Sequence, residues 1–498
     1  MLRKKSRLQK KNSVDELTTL LFVFFSAAAL ICAVGRAFSS RGLSIQDELF
    51  WNGVYSDHFM DLFNPMRDSR DLSWVYQRNV IYPPLSVLLT FALSKLVPKK
   101  EIGIRFSHRY SLQANAITDT IWLVLVVLCV LLFAYCAERY LRRAKLSRMR
   151  YAALFFMVVS FPMIYCIERG NLSLMALALC SFFVFFRNDK NAVLRELSYI
   201  SLAAAAGLKL FPAAIGVLLI YDRKWKAAAR TVFYGIAALV LPYLLILLLA
   251  PKEGGIAQIV ASRSSAMISV PGLLAGNGSL PLLAAKSDPD GSIMRMLDNI
   301  LSRIENTREF SFDSTSFANI VYFLSSQDVI SPEKAKTVSM IVFCTTEVFA
   351  AVLGFFCKKE WQRVFFAVFL ILNIHVIAMH YTLIYLLLPL IVFLAQSAEE
   401  KRPKRDIPYL LLFCIQFILL PFYTNQMRLT MKAIFAFQLG LPTPYSVNKL
   451  LSCPMFLILS LAVMTDTVIG LIAGRKAKRK AKTPAEPEDA SLPVAAEA

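Results

Sequence analysis

Apolar runs of about 15 to 21 residues recur along this 498-residue chain, separated by short loops that carry most of the charge. Runs of that length match the hydrocarbon layer a helix must cross, whereas barrel strands would be shorter and would alternate in polarity. The chain therefore reads as an all-α, polytopic membrane bundle. A hydrophobic content of 57% and a mean hydropathy of +0.54 leave no soluble globular alternative. The net charge of +21 would suit a nucleic-acid partner if it formed one stripe. It lies instead in short clusters between apolar runs, as cytoplasmic flanks and anionic-lipid contacts do. The nine cysteines fall mostly inside the apolar runs without C-x-x-C spacing, so they read as small core residues rather than as disulfides or a zinc site.

The basic clusters orient the bundle. Residues 1–15 hold Arg3, Lys4, Lys5, Arg7, Lys10 and Lys11, which marks a cytoplasmic start; a cleaved signal peptide is the alternative, but the apolar run from Leu17 to Gly35 exceeds an ordinary signal core. Residues 36–116 are then an outer loop. The apolar stretch from Val80 to Val97 is expected to lie on the outer face, because a crossing there would put Arg139, Arg142, Arg143, Lys145, Arg148 and Arg150 outside. Further crossings are expected at 117–135, 151–166, 172–186, 231–250, 338–356, 364–379, 383–395, 408–422 and 450–473. The run from Leu197 to Tyr221 has basic residues at both ends and Gly207, Lys209 and Pro212 in its middle. It predicts a hairpin of two short helices with Lys209 at the outer tip. The sum is about twelve helices in a transmembrane domain over 16–474, with outer loops 36–116 and 251–337 and a cytoplasmic, irregular tail over 475–498.

Residues that break membrane rules gather on the outer side. Asp57 and Asp61 stand one helical turn apart among Phe59, Met60, Leu62 and Phe63, so both carboxylates would share a face with apolar neighbours. Asp68 and Asp71 sit among Arg67 and Arg70 and read as a solvated loop. A lysine at a membrane-helix centre costs about 2.5 to 3.5 kcal/mol on insertion scales, so the intramembrane Lys209 is a functional candidate by default, with snorkelling as the plain alternative. Glu168-Arg169-Gly170-Asn171 forms an outer turn whose ion pair could simply satisfy itself, and His380 beside Tyr381 could be a core histidine. Asp288-Pro-Asp290 in the long outer loop has D-x-D spacing, but Pro-Asp-Gly is a turn signal and no other ligands accompany it, so no metal site is expected.

Several of these segments resemble one family in order along the chain. The acidic-aromatic FMDLFN after the first crossing, YPPL at Tyr82, the ERGN turn, GLKLFPAAIGVLLIYDRKW around Lys209, and HYTLIYLLLPL from His380 look like motifs of the GT-C glycosyltransferases, in particular glycosyltransferase family 87. The resemblance implies a GT-C-like bundle with an outer juxtamembrane acidic loop. It further implies transfer of a hexose, most readily mannose, from a polyprenyl-phosphate-sugar to a glycan or glycolipid acceptor outside the cytoplasm, without a cofactor. The implied base is Asp61 or Asp57, a choice that stays open because Asn64 stands where the family favours an aromatic. The implied donor- and substrate-binding residues are Tyr82, Glu168, Arg169, Asn171, Lys209, His380 and Tyr381. Two other readings of the residues remain: a lipid-linked saccharide transporter or flippase, which calls for cations at mid-membrane and an inner opening, and a polysaccharide polymerase or ligase, usually marked by an outer loop rich in Arg and His. The 251–337 loop holds arginines and no histidine.

Overall fold

The computed structural model describes residues 17–39, 59–72, 81–97, 116–144, 146, 149–249, 314–374, 380–400, 403–419 and 447–480. Among the described residues every regular element is helical. In chain order these are α1 (Leu17–Ser39), α2 (Met60–Ser69), α3 (Pro84–Lys95), α4 (Ala116–Arg143), α5 (Met149–Val158), α6 (Phe161–Glu168), α7 (Ser173–Phe186) and α8 (Ala192–Leu208). A 3₁₀ turn (Phe211–Gly216) leads into α9 (Val217–Tyr221), followed by α10 (Trp225–Leu249), α11 (Ala318–Ser326), α12 (Pro332–Phe356) and α13 (Glu360–Leu372). A second 3₁₀ turn (His380–Leu386) opens α14 (Leu387–Glu400), and α15 (Pro403–Phe417) and α16 (Val447–Lys480) complete the bundle.

The expected segments are largely helical where they are described, but their lengths divide them. Among the described residues six stretches are long and apolar enough to cross a membrane: α1, α4, α10, α12, His380–Ala398 and most of α16. Helices α5 and α6 make a seventh if the bent pair is one span. The others are shorter, with 14 residues in α7, 17 in α8, 13 in α13 and 15 in α15. At 1.5 Å per residue α7 is about 21 Å long, less than a hydrocarbon core of about 30 Å. Helix α3, with 12 residues, is likewise too short to cross.

Local sequence explains where these helices start and break. Pro84 and Pro332 each open a helix, where a missing N–H is harmless. The Asn191 side chain caps α8 by accepting from Val193 N and Leu194 N at 2.9 and 3.4 Å. Pro162 cannot donate back to the preceding turn, and α5 and α6 meet there at 42°. Helix α8 ends at Leu208 because Lys209 takes an extended backbone (φ −145°, ψ 132°), and Pro212 prevents resumption before the 3₁₀ turn. The hairpin tip predicted at Lys209 is therefore where the chain turns.

Burial separates the centre from the lipid-facing rim. In the helix that runs from His380, 83% of the most apolar stretch is buried, whereas only 17% of α10 is. Leu383–Leu394 thus forms a central pillar, apolar all round. Val232, Phe233, Ile236, Leu241 and Leu248 of α10 are exposed in a pattern suited to acyl chains. Helix α12 comes so close to α9 that a Cβ on Gly354 would overlap the Tyr221 ring.

Candidate active site at the α2, α6–α7 and α8 junction

Two backbone hydrogen bonds join the start of α2 to the turn between α6 and α7. Phe59 N donates to Glu168 O at 2.9 Å and Asp61 N donates to Arg169 O at 3.0 Å. The approach is close enough that a Cβ on Gly170 would sit 2.6 Å from Phe59 Cα, and Gly170 itself has φ +67°. Glycine is required there on both counts. Phe59 also holds a left-handed backbone (φ 57°), a cost that its packing offsets. Its ring lies 5.9 Å from Phe63 and 6.3 Å from Trp122, whose Nε1 donates to Ile167 O at 3.0 Å.

This clamp aligns one carboxylate with two cations. Arg169 Nη2 donates to Asp61 Oδ1 at 3.0 Å, and Asn171 Nδ2 donates to Asp61 Oδ2 at 2.6 Å. Asn171 Oδ1 accepts from Ser173 N at 2.9 Å and from Lys209 Nζ at 2.7 Å. Two donors face the oxygen and an acceptor faces the nitrogen, so the amide has only one orientation that satisfies every partner. The Tyr82 hydroxyl donates to Asp61 O at 3.3 Å. Asp61 and Arg169 keep about a fifth of their side-chain surface accessible, at 20% and 18%, while Lys209 is buried at 9%.

The Lys209 ammonium is enclosed by aromatic rings. It lies 5.7 Å from the centroid of Tyr82, 5.6 Å from Phe211 and 5.6 Å from Tyr381, each a cation–π distance. Tyr381 also brings its hydroxyl within hydrogen-bonding reach of Asn171. Rings and amide together enclose the Lys209 ammonium.

The structure thus brings Asp61, Tyr82, Arg169, Asn171, Lys209 and Tyr381 into one cluster, with Glu168 joined to it through its main chain. His380 stands apart. It is fully buried, its Nδ1 is 2.8 Å from Ser452 Oγ, and its ring meets Phe161 and Tyr165 edge-on at 6.5 and 6.4 Å. Those contacts fix the turn before α14 against α16. Asp68 pairs with neighbouring Arg67 at 2.9 Å and takes no part. Asp57 and the Asp288-Pro-Asp290 segment lie outside the described residues. Phe211, Trp122 and Gly170 are contributors that residue chemistry alone did not single out. The only signal for Phe211 is its place two residues after an intramembrane lysine.

Residues 81–255 match the family model described as glycosyltransferase family 87, a stretch that contains Tyr82, Glu168, Arg169, Asn171 and Lys209. No curated protein and no solved structure matches the chain. Together the apolar helices and this match support a membrane glycosyltransferase, similar over residues 81–255 to glycosyltransferase family 87.

Proposed function

We propose that this enzyme transfers a hexose, with mannose the leading candidate, from a polyprenyl-phosphate-sugar to a glycan or glycolipid acceptor, with inversion at the anomeric carbon. The observation that carries the reading is the Asp61–Asn171–Lys209 chain of hydrogen bonds with Arg169 on the other carboxylate oxygen. Each Asp61 oxygen spends one lone pair on these contacts and keeps another with which to take a proton. In the reaction the acceptor hydroxyl attacks the anomeric carbon and passes its proton to a carboxylate, while the bond from that carbon to the phosphate oxygen breaks. The phosphate leaves with the bonding pair, so it needs positive charge rather than an acid. Arg169, partly accessible, meets the phosphate directly, and Lys209 supplies positive field from its cage. A single carboxylate opposite the leaving group gives inversion by analogy with other glycosyl chemistry.

Asp61 is the base in this reading, and Asp57, four residues earlier, is the alternative. An extracytoplasmic site is supported by charge. Arg187, Lys190 and Arg195 lie at the far ends of α7 and α8 from Asn171 and Lys209, so the positive-inside rule puts the Asp61 end outside. The test is turnover of purified enzyme with polyprenyl-phosphate-mannose and a membrane extract as acceptor source. Asp61→Asn at saturating donor should abolish transfer and keep donor binding, because the amide preserves shape without basicity. Near-normal turnover by Asp61→Asn with a dead Asp57→Asn exchanges the two roles. Turnover with nucleotide-sugar but not lipid-sugar overturns the donor assignment.

A further inference from the structure

At the other end of α7, about 21 Å from Asn171 by helix rise, a cavity of about 530 Å³ opens where α9, α12 and α13 meet. Its polar wall holds Arg223, Lys224, Lys358 and Arg363 against one carboxylate, Asp222. That carboxylate is already taken. Arg187 Nε donates to Asp222 at 3.1 Å, Arg363 Nη1 at 3.2 Å and Asn188 Nδ2 at 3.2 Å. Among the described residues Arg223 and Lys358 form no ion pair, and Lys224 donates only to the neutral Asn188. Asp222, shared among these partners and also felt by Lys224, leaves the hollow with four cations against one carboxylate. Gly474 of α16 lies beside Lys358.

The backbone adds a second observation. Lys224 N donates to Leu219 O at 2.8 Å and Arg223 N to Ile220 O at 2.9 Å, a Schellman closure of α9. The left-handed residue in that closure is ordinarily glycine, yet here it is Arg223 at φ 56°. A bulky cation is held in a strained position at the cavity mouth, its guanidinium 5.8 Å from the Phe355 ring. The third observation is apolar. Phe349, Val352 and Phe356 of α12 are exposed at helical spacing and form a stripe that ends at the cavity.

We propose that this cavity binds the headgroup phosphate of an anionic phospholipid, whose acyl chain lies along the Phe349–Val352–Phe356 stripe. The cations answer the phosphate charge. The stripe selects a lipid over a soluble phosphate, because only a lipid covers it. The site is independent of the transferase cluster and does not rest on the sugar donor.

The test is native mass spectrometry of the full-length protein in detergent, titrated with phosphatidylglycerol or with phosphatidylcholine of the same acyl chains. Wild type should retain one phosphatidylglycerol in preference to phosphatidylcholine. Arg223→Gln/Lys224→Gln/Lys358→Gln should weaken that retention by at least roughly 100-fold, since removing each charge-assisted hydrogen bond weakens binding by about tenfold or more. The control Arg142→Gln/Lys190→Gln/Lys226→Gln removes three exposed basic residues from the same end, away from the cavity, and should change retention by less than about fivefold. If the triple cavity variant does not fold, Lys358→Gln alone, at an exposed position, should give about a tenfold loss and decides the question by itself. Equal binding of the two lipids, an unchanged cavity variant, or an equal loss in the control overturns the proposal. Displacement of phosphatidylglycerol by inorganic phosphate at matching concentration also overturns it, in favour of a soluble anion.

Discussion

Lys209 Nζ donates to Asn171 Oδ1 at 2.7 Å, and the same amide donates to Asp61 Oδ2 at 2.6 Å, so one neutral side chain links the buried cation to the carboxylate. A direct Lys209–Asp61 pair would neutralise both groups. With Asn171 between them, the carboxylate stays available to a hydroxyl and the cation still biases the site electrostatically.

This arrangement predicts an order among Asn171 variants. Asn171→Ala removes the bridge and should lower turnover about 10- to 100-fold, as expected for a group that positions others. Asn171→Asp adds a carboxylate against Asp61 and removes the donor to it, so it should lose at least about 100-fold and be less active than Asn171→Ala. Turnover of the two purified variants at saturating donor decides the matter. Equal activities would mean that the added negative charge beside Asp61 is unimportant.

Lys209→Met keeps the apolar stem within the ring cage and removes the charge. Loss of an electrostatic contact to the leaving phosphate costs about 2 to 4 kcal/mol, or roughly 30- to 1000-fold in turnover. Thermal stability should fall little, because the methionine still packs on Tyr82, Phe211 and Tyr381. Lys209→Arg should not restore activity, since a planar guanidinium does not fit a hollow shaped around a compact ammonium. A stable and fully active Lys209→Met would show that the cage is only structural.

Much of this was legible in the sequence, and the limits have physical causes. The break at Lys209 could be read because glycine, proline and a charge punctuate an apolar run, and each acts locally. The ERGN turn and the acidic segment could be marked as polar groups at a membrane edge. Their contact could not, because Phe59 and Glu168 are joined by tertiary hydrogen bonds with no periodic trace. His380 was grouped with the site for the same reason: its partner Ser452 lies 72 residues away. The segments expected to cross at 172–186 and 364–379 hold helices of only 14 and 13 residues, and hydropathy marks them as crossings because buried helices of a bundle are apolar on all sides.

Breaking the cluster at the basic end should affect stability rather than chemistry. Arg187 is 3% exposed and pairs with Asp222 and Glu360. Arg187→Leu removes the buried partner of Asp222 and Glu360 and leaves Arg363 as the ion-pair partner of both, so the loss should lie at or below the lower end of the about 3 to 5 kcal/mol that breaking a buried pair costs. The melting temperature should drop markedly, whereas turnover per folded enzyme, measured at low temperature, should stay within about threefold of wild type because the site lies about 21 Å away. A specific loss of turnover at unchanged melting temperature would mean that the two ends are coupled.

Gly170 offers the sharpest test of the clamp itself. Alanine there meets two separate penalties: a left-handed backbone at φ +67° and a Cβ placed 2.6 Å from Phe59 Cα, a backbone atom that cannot swing aside. The first costs about 1 to 2 kcal/mol. The second must push the start of α2 away from the α6–α7 turn, stretching the Phe59–Glu168 and Asp61–Arg169 backbone hydrogen bonds. Asp61 then shifts from Arg169 and Asn171, and a displacement of about 1 Å at a catalytic group costs on the order of 100-fold in rate. Gly170→Ala should therefore lower both the melting temperature and turnover, with donor affinity falling less than turnover because Lys209 and its rings are untouched. A comparison variant, Gly235→Ala on α10, where nothing lies within 4 Å of the added Cβ, should leave both unchanged. If Gly170→Ala keeps full turnover, the close approach of α2 to the turn does not position the carboxylate, and the cluster's assignment as the active site fails with it.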